Sequence, residues 1–209
     1  MSAKVTTRTG DKGMTGVLGP ERLPKEDPRI EALGAVDEAT SALGLARAFG
    51  DDPAVSAILL RLQRDLYRLM AELATTTTRA EAIGMRITSE DVTWLERTQE
   101  ELLARVAIPP QFIVPGATRA GATLDFARAT VRRAERAVSR LFHTGDQTIE
   151  EALRYLNRLS DLAFVLARAA EVSAGGSTPA RAPEARGAHS RPRGGAMEQP
   201  SGQKGSGPR

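Results

Sequence analysis

Four arginines and a glutamate crowd into nine residues, Arg128-Ala-Thr-Val-Arg132-Arg133-Ala134-Glu135-Arg136. At about 100° per residue of helix, Arg128, Arg132 and Glu135 fall at about 40°, 80° and 20° from Leu124, flanking an apolar seam. Arg133 points roughly opposite, towards solvent or a neighbouring subunit. Charged groups beside a packed seam are costly unless they are paired or given an anionic ligand. Two chemistries fit: an Arg–Glu network within the helix, or an anion site such as one for a polyphosphate.

A second candidate is Thr7-Arg8-Thr9-Gly10-Asp11-Lys12-Gly13-Met14-Thr15. Glycines let a backbone approach phosphate oxygens, and Thr hydroxyls and the Lys12 ammonium can donate to them. It is not a Walker A loop, which needs GxxxxGK[ST] between a strand and a helix. By composition, a mobile glycine-rich terminus and a phosphate cradle are equally supported. A third candidate is Tyr155-Leu-Asn-Arg-Leu-Ser-Asp161, with Asn157 and Asp161 one turn apart and off the apolar stripe. Asn is mildly unfavourable inside a helix, so Asn157 either meets a ligand or faces solvent. Neither histidine, His143 at a helix end or His189 near the C-terminus, has a catalytic setting. Cysteine is absent, which excludes a disulfide framework and a thiolate metal site. No His/carboxylate cluster has ligand spacing, so no protein metal site is expected.

The elements that must hold these groups read as helices. Hydrophobic residues make up 41% of the 209 and aromatics only 4%, with Ala, Leu, Arg and Glu prominent, a mixture that favours helix over sheet. Five helices are predicted. The first covers about 29–49, with Leu33, Val36, Thr40 and Leu43 on one stripe. The second starts at Pro53 after two aspartates and ends near Thr75. The third starts at Thr88-Ser89, where Thr88 and Asp91 approximate a capping box, and runs to about Val106. The fourth spans about 119–142 and the fifth about 148–172. Leu124, Ala127, Val131, Ala134, Val138 and Leu141 alternate at three and four residues; Ala152, Leu156, Leu159, Ala163, Leu166 and Ala170 repeat the pattern. The fold class is all-α, an antiparallel five-helix bundle with a glycine-rich N-terminal loop. The first 28 residues lack helical periodicity and read as loop or short extended structure.

The charge is uneven. From residue 174 onward there are six Lys/Arg and two acids, net +4, against +3 for the chain, so residues 1–173 carry about −1. The basic balance belongs to the Gly/Pro/Arg-rich tail, 174–209, which is expected to be disordered. A near-neutral body, residues 1–173, gives no special reason to expect a basic face for nucleic acid. No apolar run nears the roughly 18 residues needed to span a bilayer, and the first residues lack a signal-peptide core. A cytoplasmic protein without a membrane partner is expected.

Taken in order, TRTGDKG at 7–13, VDE at 36–38, FIVPG at 112–116, RATVRRAER at 128–136 and YLNRLSD at 155–161 resemble the PduO-type ATP:cob(I)alamin adenosyltransferases, over about residues 5–172. The resemblance implies a trimer of five-helix bundles with ATP bound between subunits. It implies transfer of the 5′-deoxyadenosyl group of ATP to the cobalt of reduced cobalamin, with Mg²⁺ accompanying the nucleotide. It assigns the 7–15 loop and Lys25 to the triphosphate, Arg132 to the phosphates with Arg133, Ala134, Glu135 and Arg136 in the same block, and Asn157 to the nucleotide. Asp37 and Arg128 match a pair bridging subunits at the active site, and Phe112 the aromatic that faces the corrin and removes cobalt's lower ligand. By its own neighbours, Ile113 and Val114, Phe112 also fits a core position. A reductase and an adenosylcobalamin-dependent mutase are the protein partners such chemistry calls for. The chain departs from the pattern at Ala117 to Arg119 after Pro-Gly, at Gly19-Pro20 and at Gly16. The competing class is a helical-bundle interaction protein that binds nucleotide without turnover.

Overall fold

The structure, a computed structural model, describes residue 6 and residues 8–75, 82–143 and 149–175. Two strands, β1 (Met14–Gly16) and β2 (Arg22–Pro24), precede five helices: α1 (Pro28–Phe49), α2 (Pro53–Leu73), α3 (Ser89–Leu103), α4 (Arg119–His143) and α5 (Glu150–Ser173). The expected helices are all present, with α2 and α3 ending two or three residues early. The expected tail, 174–209, lies outside the described residues except for its first two, as do Thr7 and the expected start of α5 at Thr148.

Each helix start has a local cause. Asp27 accepts from the Arg29 N–H at 2.8 Å ahead of Pro28. Asp52 accepts from Ala54 and Val55 ahead of Pro53. Both satisfy donors that the first helical turn leaves orphaned, and proline at that position loses nothing. At α3 the Asp91 carboxylate accepts from the Thr88 N–H and hydroxyl, both at 3.0 Å.

Consecutive helices alternate in direction. Arg29 at the start of α1 donates to the Leu73 carbonyl at the end of α2. Arg68 late in α2 reaches Asp91 early in α3, and Asp125 early in α4 meets Arg168 late in α5. An odd number of alternating helices forces one parallel neighbour pair. It is α3 and α5, tied midway by Arg158 and Glu96 at 2.9 Å. The bundle is therefore antiparallel except at that seam.

The α4 seam is buried at all six expected positions. The α1 stripe is displaced. Ala32, Ala35, Val36, Ala39, Ala42, Leu43 and Ala46 are buried, while Leu33 and Thr40 are only half-buried. The buried face of α1 is mostly alanine, and the helix packs against α2 and α4. Gly44 serves the other side: a Cβ there would sit 2.8 Å from Gln63 Nε2, which crosses α1 to donate to the Thr40 carbonyl.

Helix α5 is the centre of the bundle. Nearly every residue from Tyr155 to Glu171 is buried or half-buried. Its Tyr155 hydroxyl donates to Asp65 of α2 at 3.0 Å, and Asp65 also pairs with Arg68. The N-terminal segment is more ordered than expected. β1 and β2 form a hairpin in the register Met14↔Pro24, Thr15↔Leu23, Gly16↔Arg22, and Leu18 N–H donates to the Ala74 carbonyl at 2.8 Å, fixing it to the end of α2. No helix among the described residues is long and apolar enough to cross a membrane.

Asp91 joins α2 to α3. Burial works against its charge, but hydrogen bonds from Arg68 and Thr88 outweigh that and hold its carboxyl below the ordinary value. Asp91→Ala should lower stability by about 2 kcal/mol or more in urea denaturation at pH 7, combining a lost cap with a lost charged hydrogen bond. Because the carboxyl titrates lower when folded, the gap between wild type and variant should be complete above about pH 4 and shrink as pH falls below it. An unchanged midpoint at pH 7 would contradict this role.

Candidate active site

Between α4 and α5 lies an open groove of about 510 Å³. Arg132, Glu135, Arg136 and Ser139 line one bank, and Leu153, Arg154, Asn157 and Arg158 the other. The Asn157 amide is held at both ends: its Nδ2 donates to Glu135 at 2.9 Å and its Oδ1 accepts from Arg158 at 2.7 Å. Arg158 is in turn fixed by Glu96 of α3. Asn157 thus neither faces solvent freely nor fills the core; its orientation is set before any ligand arrives. Arg136 folds back on the Arg132 carbonyl at 3.0 Å.

A second groove of about 310 Å³ shares Arg132 and adds Arg128, Asp161, Phe164 and Ile108. Partial burial lifts the Asp161 carboxyl above its ordinary value, with the Glu135 charge adding and Arg158 and Arg132 opposing. Arg132 is the hinge between both grooves. Among the described residues no hydrogen bond or ion pair engages its guanidinium, and the residue is exposed.

This corrects the placement read from periodicity. The six seam residues centre about 50° to the far side of Leu124, which puts Arg132 about 130° from the seam centre and Arg128 and Glu135 about 90° and 70° from it. Arg128 and Glu135 are half-buried beside the seam as expected, whereas Arg132 stands clear of it. Arg133, expected to face solvent or a neighbour, is at the surface, where it pairs with the exposed Glu38 of α1 in the same subunit. The intrahelical Arg–Glu network does not form either, since Glu135 turns to Asn157 on α5.

The N-terminal loop is a turn closed on itself. Gly13 N–H donates to the Gly10 carbonyl at 3.2 Å, Lys25 N–H donates to the Gly13 carbonyl at 2.9 Å, and Gly13 has φ +77°. Lys25 Nζ lies 3.4 Å from where a Gly10 Cβ would stand, so the lysine lies against the loop. Arg22, which sequence reading passed over, pins the loop by donating to the Thr9 and Met14 carbonyls at 2.7 and 3.0 Å. Arg8, Thr9, Asp11, Lys12, Gly13 and Met14 are exposed, and Thr15 is half-buried. Within one subunit, Asp37 is exposed on α1 and the carboxylate beside Arg128 is Asp125, at 3.8 Å. Phe112 is 88% exposed, which removes the core reading for it.

Arg158 and Glu96 were not singled out from sequence. Arg158 stood inside a flagged motif, but its partner lies 62 residues earlier, and no local spacing signals such a pair.

A family model described as cobalamin adenosyltransferase matches residues 5–170. The chain belongs to that family. It is 37% identical over 170 residues to the corrinoid adenosyltransferase PduO of Salmonella typhimurium, covering 81% of this chain and 50% of that protein, so it spans half the length of that relative. It is also 37% identical over 170 residues to a corrinoid adenosyltransferase of Citrobacter freundii, covering 81% of this chain and 96% of that one. Among solved structures, it is similar to a variant PduO-type ATP:corrinoid adenosyltransferase from Lactobacillus reuteri complexed with cobalamin and ATP. The TM-score there is 0.78 at 31% identity, over 86% of this chain and 99% of the other.

Proposed function

We propose that the chain transfers the 5′-deoxyadenosyl group of ATP to the cobalt of cob(I)alamin, giving adenosylcobalamin and triphosphate. The observation that carries this is the α4–α5 groove. An exposed arginine with no acceptor among the described residues stands opposite a pre-oriented asparagine, in a chain matched to the family over 5–170. The cobalt electron pair attacks C5′, the C5′–O bond breaks, and triphosphate leaves with the bonding pair. No general base is needed. What the protein must supply is alignment of two large reactants and positive charge where the leaving group gathers negative charge.

Arg132 and Arg136 supply that charge from α4, with Lys12, Lys25 and the donors of the 7–15 loop supplying more, and Asn157 holds the nucleoside end. Arg133, tied to Glu38, supports the block from behind. The loop is anchored at the end of α2 and the groove lies between α4 and α5. A homotrimer that sets the loop of one subunit against the groove of the next completes the site, and the exposed Asp37 meets Arg128 across the same boundary. Mg²⁺ enters with the nucleotide, held mainly by phosphates and water. Phe112, exposed on its loop, faces the corrin and excludes cobalt's lower ligand, which eases reduction to Co(I). A cytoplasmic location, with a reductase upstream and an adenosylcobalamin-dependent mutase downstream, suits a cysteine-free chain handling a strongly reduced cobalt.

Arg132→Ala should remove nearly all turnover, a loss of a few kcal/mol of transition-state stabilisation, while stability changes by no more than about 0.5 kcal/mol because the side chain is exposed. Half or more of wild-type turnover at saturating ATP would contradict the assignment. Light scattering of either protein with ATP should report a trimer, and a monodisperse monomer would contradict the assembly.

Phe112→Ala should separate two activities. Adenosylation starting from cob(II)alamin and a reductant should collapse, while adenosylation of pre-reduced cob(I)alamin should suffer less and ATP binding should persist. Equal losses in both assays, with a lowered melting temperature, would instead show a structural residue.

A further inference from the structure

Three charged side chains are almost fully buried where the start of α4 meets the end of α5: Asp125 at 5% exposure, Arg168 at 3% and Glu171 at 3%. Arg168 is engaged by both carboxylates. Its Nη2 donates to Glu171 at 3.0 Å and to Asp125 Oδ2 at 2.5 Å, and its Nε lies 2.8 Å from Glu171 Oε2 as an ion pair without a hydrogen bond. Gly121 makes the arrangement fit, because a Cβ there would sit 2.8 Å from the Glu171 side chain.

Two carboxylates around one guanidinium leave a surplus negative charge in a dry place, which is costly. The other oxygen of Asp125, Oδ1, faces Arg128 Nε at 3.8 Å. That Nε is itself buried and has no hydrogen-bond partner among the described residues. Arg128 therefore brings the second positive charge, and the cluster balances at two against two. A guanidinium has a Nε side and a Nη end in one rigid plane. With Nε turned to Asp125, the Nη end is left for the groove it lines with Arg132 and Asp161.

We propose that Asp125 is a positioning residue, holding Arg128 by its Nε so that the Nη end is presented to the active-site groove, with Arg168 and Glu171 fixing Asp125 from behind. This rests on the adenosyl-transfer reading for its kinetic consequence, but not for its geometry. Arg128 sits one turn before Arg132 on α4, and the two line the same groove.

The test compares wild type, Asp125→Asn, Arg128→Ala, the double variant and Arg128→Lys, by anaerobic turnover of ATP with cob(I)alamin and by crystal structure. Asp125→Asn should lower kcat/KM by about 10- to 100-fold, the scale of a misplaced group. It should cause no further loss in the Arg128→Ala background, since both changes remove one device. A merely structural aspartate would give the same fold-loss in both backgrounds, and that result would overturn the proposal. In crystals of Asp125→Asn, Arg128 should leave its place beside residue 125; an unmoved Arg128 would also overturn it. If Asp125→Asn does not fold, Arg128→Lys decides. Lysine keeps the charge but has no Nε, so its activity should fall as far as that of Arg128→Ala, and near wild-type activity would refute the proposal. If the wild type forms no alkyl-cobalt product, adenosyl transfer itself fails, and the position of Arg128 in the Asp125→Asn crystal still settles the positioning role.

Discussion

A helix surrounded by protein on nearly every side cannot carry polar groups unless each has a partner, and α5 carries several. Tyr155 must find Asp65 across the bundle, and Arg168 must find Asp125 and Glu171. These buried contacts leave the helix one workable rotation, because turning it would strand a charge or a hydroxyl at a cost of about 1–3 kcal/mol or more each. Burial also holds the Tyr155 hydroxyl proton firmly, with its pKa raised well above the ordinary phenol value by desolvation and by the Asp65 charge. The rest of the site depends on that single rotational setting.

Once α5 is fixed, its half-buried edge falls opposite α4. Asn157 and Arg158 come to Glu135 and Glu96, and Arg132 stands across the gap with no partner among the described residues. The contrast is informative. Glu135, Asn157 and Arg158 restrain one another, while among the described residues nothing holds the exposed arginine between the two grooves. A preorganised wall facing an uncommitted cation is the arrangement expected where negative charge develops on a departing polyphosphate.

Much of this was legible in the chain. The seams of α4 and α5 came from three–four spacing, and the helix starts from Asp-Pro and Thr-x-x-Asp signals, because both are local rules. The placement of Arg132 was misjudged because one seam residue, Leu124, served as the angular reference while the buried stripe drifts away from it. Arg133–Glu38, Arg158–Glu96 and Arg168–Asp125 were beyond reach, since each joins residues 43 to 95 positions apart. The hairpin was half-seen: glycines and prolines marked turns, but three-residue strands are too short to show alternation. The succession of FIVPG, RATVRRAER and YLNRLSD along the chain reflects family membership rather than any geometry that spacing alone defines.

The most direct measurement mixes the wild-type protein with ATP and cob(I)alamin under anaerobic conditions, following the visible spectrum while the phosphate products are separated. The account predicts conversion to an alkyl-cobalt spectrum with one inorganic triphosphate released per cobalt alkylated, and none without protein. ATP bound with no alkyl-cobalt product, or hydrolysed to ADP and phosphate instead, would contradict it.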